Sequence, residues 1–181
     1  MFFILLVAFQ NLEAQKCEPI RSKTDPITDE KIEAWGWKIG WLNTMEKNKE
    51  CNIRFLVIQD PNDENRIFSV LEITHQVASS RMINLDPIFE EGKEYFLKTE
   101  NSILKLPATQ VKKTNNNHLG IYYVTNQLIG TISKEDVAKL ANEDLLFYQA
   151  LSSNGYSVEG KVSKKNVRKM KEQMNCFLTK I

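Results

Sequence analysis

The chain predicts an α+β fold: a mainly antiparallel β-sheet with a short helix, a further strand and a C-terminal amphipathic helix packed on the sheet. Three observations predict it. Apolar runs of strand length, separated by polar turn residues, fill residues 31–132. The rest reads helix, strand, turn, helix, so strands come first and helices late, as in α+β chains. Gly and Pro are few, 7 and 5 in 181 residues, with no low-complexity tract or repeat, so one domain is expected over residues 15–181.

Residues 1–14 read as an export signal. The run from Phe2 to Phe9 is wholly apolar but well short of the roughly 18–20 residues of a spanning helix. The mature chain is therefore expected not to span a membrane. Ala14 is a small residue suited to a cleavage site, which would start the mature chain at Gln15. No Lys or Arg precedes the apolar run, and a buried N-terminal strand is the competing reading. Ala14-Gln15-Lys16 argues against lipid modification of Cys17, since such sites want small residues just before the cysteine.

Residues 18–30 form a polar, extended lead-in. In residues 31–42, Trp35, Trp37, Ile39 and Trp41 alternate with Gly36, Lys38 and Gly40, a period of two that would put three indoles on one face of a strand. That face is either an aromatic platform for a sugar or peptide, or a core face whose opposite glycines let another element approach. The core reading is the commoner outcome. Residues 43–50 form a charged loop. Residues 52–59 and 66–74 are paired strands around the turn Asp60-Pro61-Asn62-Asp63-Glu64-Asn65, a poor match to a calcium loop because the required Gly and distal Glu are missing. Residues 75–84 are ambiguous. Residues 94–98 and 102–106 make a second hairpin, with Pro107 ending it or marking an edge. Residues 112–118, with three consecutive Asn, read as an exposed loop. Residues 119–124 and 128–132 are strand-like, interrupted by Thr125-Asn126-Gln127.

Ser133 is a helix N-cap, with Glu135 and Asp136 suited to the positive end of a helix over residues 134–142. Residues 145–151 are an apolar run too short for a core helix, hence a largely buried strand, and Ser152-Ser153-Asn154-Gly155 is turn chemistry. After Val162-Ser163, the residues Val167, Met170, Met174, Phe177 and Leu178 recur at steps of three and four, an apolar stripe opposite Lys164, Lys165, Arg168, Lys169 and Lys171. That basic face could meet phosphate or anionic lipid, but a solvated helix face is the default reading.

Three cysteines, Cys17, Cys51 and Cys176, fit an oxidising compartment with one bridge and one spare thiol. Three pairings are open. Cys17–Cys176 is favoured, because it ties the mature N-terminus to the last helix. Charges nearly balance, with 24 Lys and Arg against 23 Asp and Glu, so no global field selects nucleic acid. The aromatic interleaving of single-strand binders is absent too. The two histidines, His75 and His118, have no Cys or acid nearby at metal-ligand spacing, and no catalytic or phosphate-cradling motif occurs. No cofactor and no metal are expected. A nucleophile built from Cys51 with His75 or His118 is conceivable, without local support.

A frame of these features resembles a family of small secreted proteins of unknown function from Bacteroidetes-type bacteria. It comprises Cys17-Glu18 after the signal, then Asp25-Pro26-Ile27-Thr28 leading into a first strand. A β-rich middle follows, then a helix, a strand and a lysine-rich helix closing on Cys176-Phe177-Leu178. The resemblance implies an envelope or extracellular location and strengthens the Cys17–Cys176 pairing. It supplies no activity, and it does not include Cys51 or the face of Trp35, Trp37 and Trp41. The expected function is non-enzymatic: a binding or structural role in the bacterial envelope, toward an envelope protein or glycan. The alternatives are a hydrolase using carboxylates or Cys51 in a cleft, and a carbohydrate-binding aromatic face.

Overall fold

A computed structural model describes residues 17–24, 26, 30–43, 50–77, 88–118, 121–155 and 157–181, without the side chains of 41–43, 50, 51, 77 and 118. The expected export signal, the core of the charged loop at 43–50, most of Asp25-Pro26-Ile27-Thr28 and most of the ambiguous stretch 75–84 lie outside these residues.

The first sheet is built from β1 (Arg21–Thr24), β2 (Lys31–Asn43), β3 (Glu50–Asp60) and β4 (Asp63–Val77). The second takes β5 (Glu94–Thr99) and β6 (Ile103–Pro107). The chain then returns through β7 (Gln110–His118) and β8 (Ile121–Thr131) to the first sheet, makes α1 (Lys134–Asn142), adds β9 (Leu145–Leu151) and β10 (Ser157–Lys161) to the second sheet, and ends in α2 (Lys164–Leu178). The six-stranded sheet has the order β1-β2-β3-β4-β8-β7 and the four-stranded sheet β10-β9-β5-β6. Every ladder among the described strands is antiparallel.

The division into two sheets refines the expectation of a single sheet. Alternation explains the packing. Ile53, Phe55 and Val57 of β3 and Ile67, Leu71 and Ile73 of β4 are buried in one core with Tyr95, Leu97 and Tyr148 of the second sheet. Leu140 of α1 and Met170, Met174 and Phe177 of α2 join the same core. Both helices are capped by a serine, the first as its sequence predicts: Ser133 Oγ accepts from the Asp136 N–H at 3.1 Å, and Ser163 Oγ from the Asn166 N–H at 3.4 Å. The second sheet packs on the inner face of the first, with β6 beside β8 and β10 beside β2. Tyr95 joins the two sheets: its buried hydroxyl donates to Ser69 Oγ at 2.8 Å.

Two glycines make close approaches possible. A Cβ on Gly40 would lie 2.1 Å from the Tyr148 hydroxyl oxygen, so β2 can pass the Tyr148 ring only without a side chain there. Gly36 has φ +152°, and a Cβ would lie 2.0 Å from the Phe55 carbonyl oxygen.

Several local expectations are corrected. Residues 112–118 are not a loop but most of β7. As the edge of the six-stranded sheet it needs no apolar face, and Lys and Asn on an edge discourage further pairing. Thr125-Asn126-Gln127 does not interrupt β8, because two of its polar side chains find cross-strand partners: Thr125 Oγ1 lies 2.9 Å from Thr74 Oγ1, and Gln127 reaches Glu72. β10 is an additional short strand, with Val158 as its one apolar anchor in the core. The lead-in contains β1, paired to β2 from Arg21↔Ala34 to Thr24↔Lys31.

Candidate functional site: the outer face of the six-stranded sheet

The outer face of the six-stranded sheet divides into an apolar half and a charged half. Cross-strand register lines up Gly36, Leu56, Val70, Ile129 and Gln110 in one row and Lys38, Arg54, Glu72, Gln127 and Lys112 in the next. Ala34, Leu56 and Val70 are buried on this face and packed by Ile20, Ile58 and Ile129, a second apolar cluster separate from the main core.

Glu72 anchors the charged half. Its side chain is only 4% exposed. Arg21 crosses from β1 and donates two parallel hydrogen bonds to it, at 2.7 and 2.8 Å. Gln127 donates at 3.2 Å and Arg54 at 3.3 Å. Burial pushes the carboxyl up, but the bonds and charge of Arg21, then Gln127 and Arg54, hold it below the ordinary carboxylate value. Two guanidiniums against one carboxylate leave the cluster cationic.

A groove of about 560 Å³ lies over the apolar half. Ala34, Leu56, Ile58, Val70 and Ile129 form its floor, Arg21, Ser22, Lys23 and Ile32 one end, and Gln127 and Lys112 the other. Lys23 and Lys112 are exposed and hold no partner among the described residues. A larger cleft of about 720 Å³ sits between the β3–β4 tip and the end of α2. Three of its charged side chains are spent on one another: Glu33 pairs with Lys31 at 2.5 Å and Lys180 at 3.2 Å, and Lys180 lies over the Trp35 ring. Its aromatic lining, Trp35 and Phe177, is 2% and 1% exposed, so it offers a ligand no aromatic face. The groove keeps more open apolar side chain, in exposed Ile32 and half-buried Ile58 and Ile129.

The residues singled out in the sequence fall in several places. Cys17 and Cys176 form the disulfide, with Cα atoms 5.4 Å apart. Trp35 is core, not platform, and Trp37 is partly buried against the same core. A bulge between Lys38 and Gly40 breaks the period of two, so Trp35 pairs with Val57 and Trp37 with Phe55, but Trp41 with Asn52. The Trp41 indole lies outside the described side chains. So do the Cys51 thiol and the His118 ring, although the backbone ladder sets Cys51 directly across from His75. The basic face of α2 is partly neutralised: Glu172 pairs with Arg168 and Lys169, and Asp144 with Lys171. No group of metal-ligating side chains gathers among the described residues. No described helix is long and apolar enough to cross a membrane.

Sequence reading missed Arg21, Arg54, Glu72, Lys112 and Gln127. One signal was available: Glu72 and Arg54 are lone charges inside otherwise apolar strands, and charges so placed are normally paired.

Compared with protein-family models, with curated proteins and with solved structures, the chain matches none.

Proposed function

We propose that the chain is a non-enzymatic binding domain of the periplasm or cell exterior that holds an envelope component on the outer face of its six-stranded sheet. The observation that carries this reading is the groove itself: exposed Ile32 and half-buried Ile58 and Ile129 beside a buried apolar cluster, flanked by two lysines that hold no partner among the described residues. The Cys17–Cys176 bridge supports the compartment, since such bonds persist where the surroundings are oxidising. A photo-crosslinking residue placed at Gln110, on the edge strand beside Ile129, should form adducts in an envelope extract. The same residue at Ile103, exposed on β6 in the other sheet, should not. Equal labelling at both positions, or none at Gln110, refutes the binding face.

One observation favours a hydrolase as second reading. The ladder sets Cys51 opposite His75, and Asn126, one strand further and opposite Ile73, is 2% exposed with its amide nitrogen unbonded. An activated thiol would be alkylated well below the pH of an ordinary cysteine and more slowly after His75→Ala. Ordinary alkylation unaffected by that change removes this reading.

A further inference from the structure

We infer that residues 17–24 are a redox-controlled cover over the outer face: the Cys17–Cys176 bridge holds them down, and reduction by a dithiol frees them and opens the face. The inference rests on the binding face proposed above and names its regulation.

The centre of the face is closed by this segment. Ala34, Leu56 and Val70 lie in a cluster separate from the main core, yet they are only 2–6% exposed. Ile58 and Ile129 pack on them from within the sheet, and Ile20 is the apolar residue that the cover contributes. Arg21 then reaches over the same face to Glu72. What stays open is the rim, in exposed Ile32 and half-buried Ile58 and Ile129. A ligand of the oxidised chain meets that rim, and it gains the centre only when Ile20 and Arg21 leave.

The ties that hold the cover are unequal. The Ile20 N–H donates to the Ala34 carbonyl oxygen at 2.9 Å, and the Gln173 amide to the Glu18 carbonyl oxygen at 3.3 Å. The ladder of β1 on β2 spans only the four pairs from Arg21↔Ala34 to Thr24↔Lys31. All four β1 residues are exposed, so water competes for these bonds and for the Arg21–Glu72 pair. The bridge is different in kind. It fixes the upstream end of the cover to α2, while the chain leading into β2 fixes the other end. With the bridge cut, β1 is joined on one side only, and a short edge strand so joined frays.

The bridge is also placed to be cut. Cys17 is exposed, whereas Cys176 is buried in the core with Met170, Met174 and Phe177. A thiolate of an external dithiol therefore attacks Cys17 Sγ. The bond between Cys17 and Cys176 breaks, and Cys176 leaves as a thiolate and takes up a proton. The second thiol of the dithiol then displaces Cys17. The dithiol ends as a disulfide and the chain as two thiols, with two electrons transferred. The core that seats Cys176 draws on both sheets and both helices, so it keeps its packing while the cover lifts.

Hydrogen exchange on the full chain, oxidised, reduced with dithiothreitol and reoxidised, tests this, with thiol labelling of Cys17 and Cys176 reporting each state. Reduction should speed exchange at residues 20–24 and 31–34 by about tenfold or more and leave β3, β4 and α2 protected. Reoxidation should reverse the change. Adducts at the Gln110 photo-crosslinker in the envelope extract should rise by about threefold or more on reduction, because binding follows the fraction of chains with an open face. Cys17→Ser should behave as the reduced chain without any dithiol, which separates the bridge from effects of the reductant on the extract. Unchanged exchange at residues 20–24 after the bridge is cut overturns the inference. Equal acceleration in α2 and β9 also overturns it, since the bridge would then staple the whole fold. Adducts at Gln110 that form equally in both states overturn the regulation and leave the binding face standing. No adducts in either state refute the binding face, and the inference falls with it.

Discussion

Arg21 and Glu72 are 51 residues apart, yet two hydrogen bonds of 2.7 and 2.8 Å join them across the outer face, spanning from β1 to β4. The pair ties the short edge strand β1 to the centre of the sheet. Arg21→Met would leave a buried carboxylate served only by Gln127 and Arg54. Because Arg21 is 47% exposed, the loss should be about 1–2 kcal/mol rather than the larger cost of breaking a fully buried pair. A urea titration should show a lower midpoint with an unchanged slope.

The same carboxylate sets an acid limit. Its folded pKa lies below the ordinary 4.5, so its contribution is complete above that value and is lost as the pH falls through the folded pKa. Stability measured against pH should therefore decline on the acid side of 4.5. In Glu72→Gln that acid-side decline should be shallower. An identical acid profile in the two proteins would remove Glu72 from the account.

The bridge between Cys17 and Cys176 closes a sequence separation of 159 residues. Chain-entropy arguments put the stabilisation from so long a loop at about 5 kcal/mol at most. The double variant Cys17→Ser, Cys176→Ser should unfold at a clearly lower temperature. Amide exchange should accelerate first in β1, whose residues are all exposed and whose lead-in the bridge anchors to α2. Uniform acceleration throughout would show that the bridge does not anchor β1 in particular.

Gly40 and Tyr148 form a fitted pair between the sheets. Gly40→Ala would drive a methyl group into the Tyr148 ring and should cost about 1–3 kcal/mol. Adding Tyr148→Leu should cost less than the two single changes together, a coupling that a double-mutant cycle in denaturant reads directly.

The N-cap of α2 is a local contribution. Ser163→Ala removes the acceptor for the Asn166 N–H and should cost about 1 kcal/mol in thermal unfolding.

What the sequence determined by itself was what neighbours in the chain decide. The apolar runs of residues 52–59 and 66–74, the stripe from Val167 to Leu178, the cap at Ser133 and the helix start after Ser163 all have near-local causes, and the structure carries each of them. The pairing of Cys17 with Cys176 was favoured there among three and is the bridge observed. Tertiary structure decided whatever depends on which strands lie side by side. The split into two sheets, the strand character of the Asn-rich β7 and the bulge that breaks the tryptophan alternation are of this kind. So is the candidate site, since Arg21, Glu72, Gln127 and Lys112 come from four strands and meet only in the assembled sheet. The physical reason is that a side chain's alternation is written along its own strand, whereas its partner across the ladder is set by register between segments far apart in the chain.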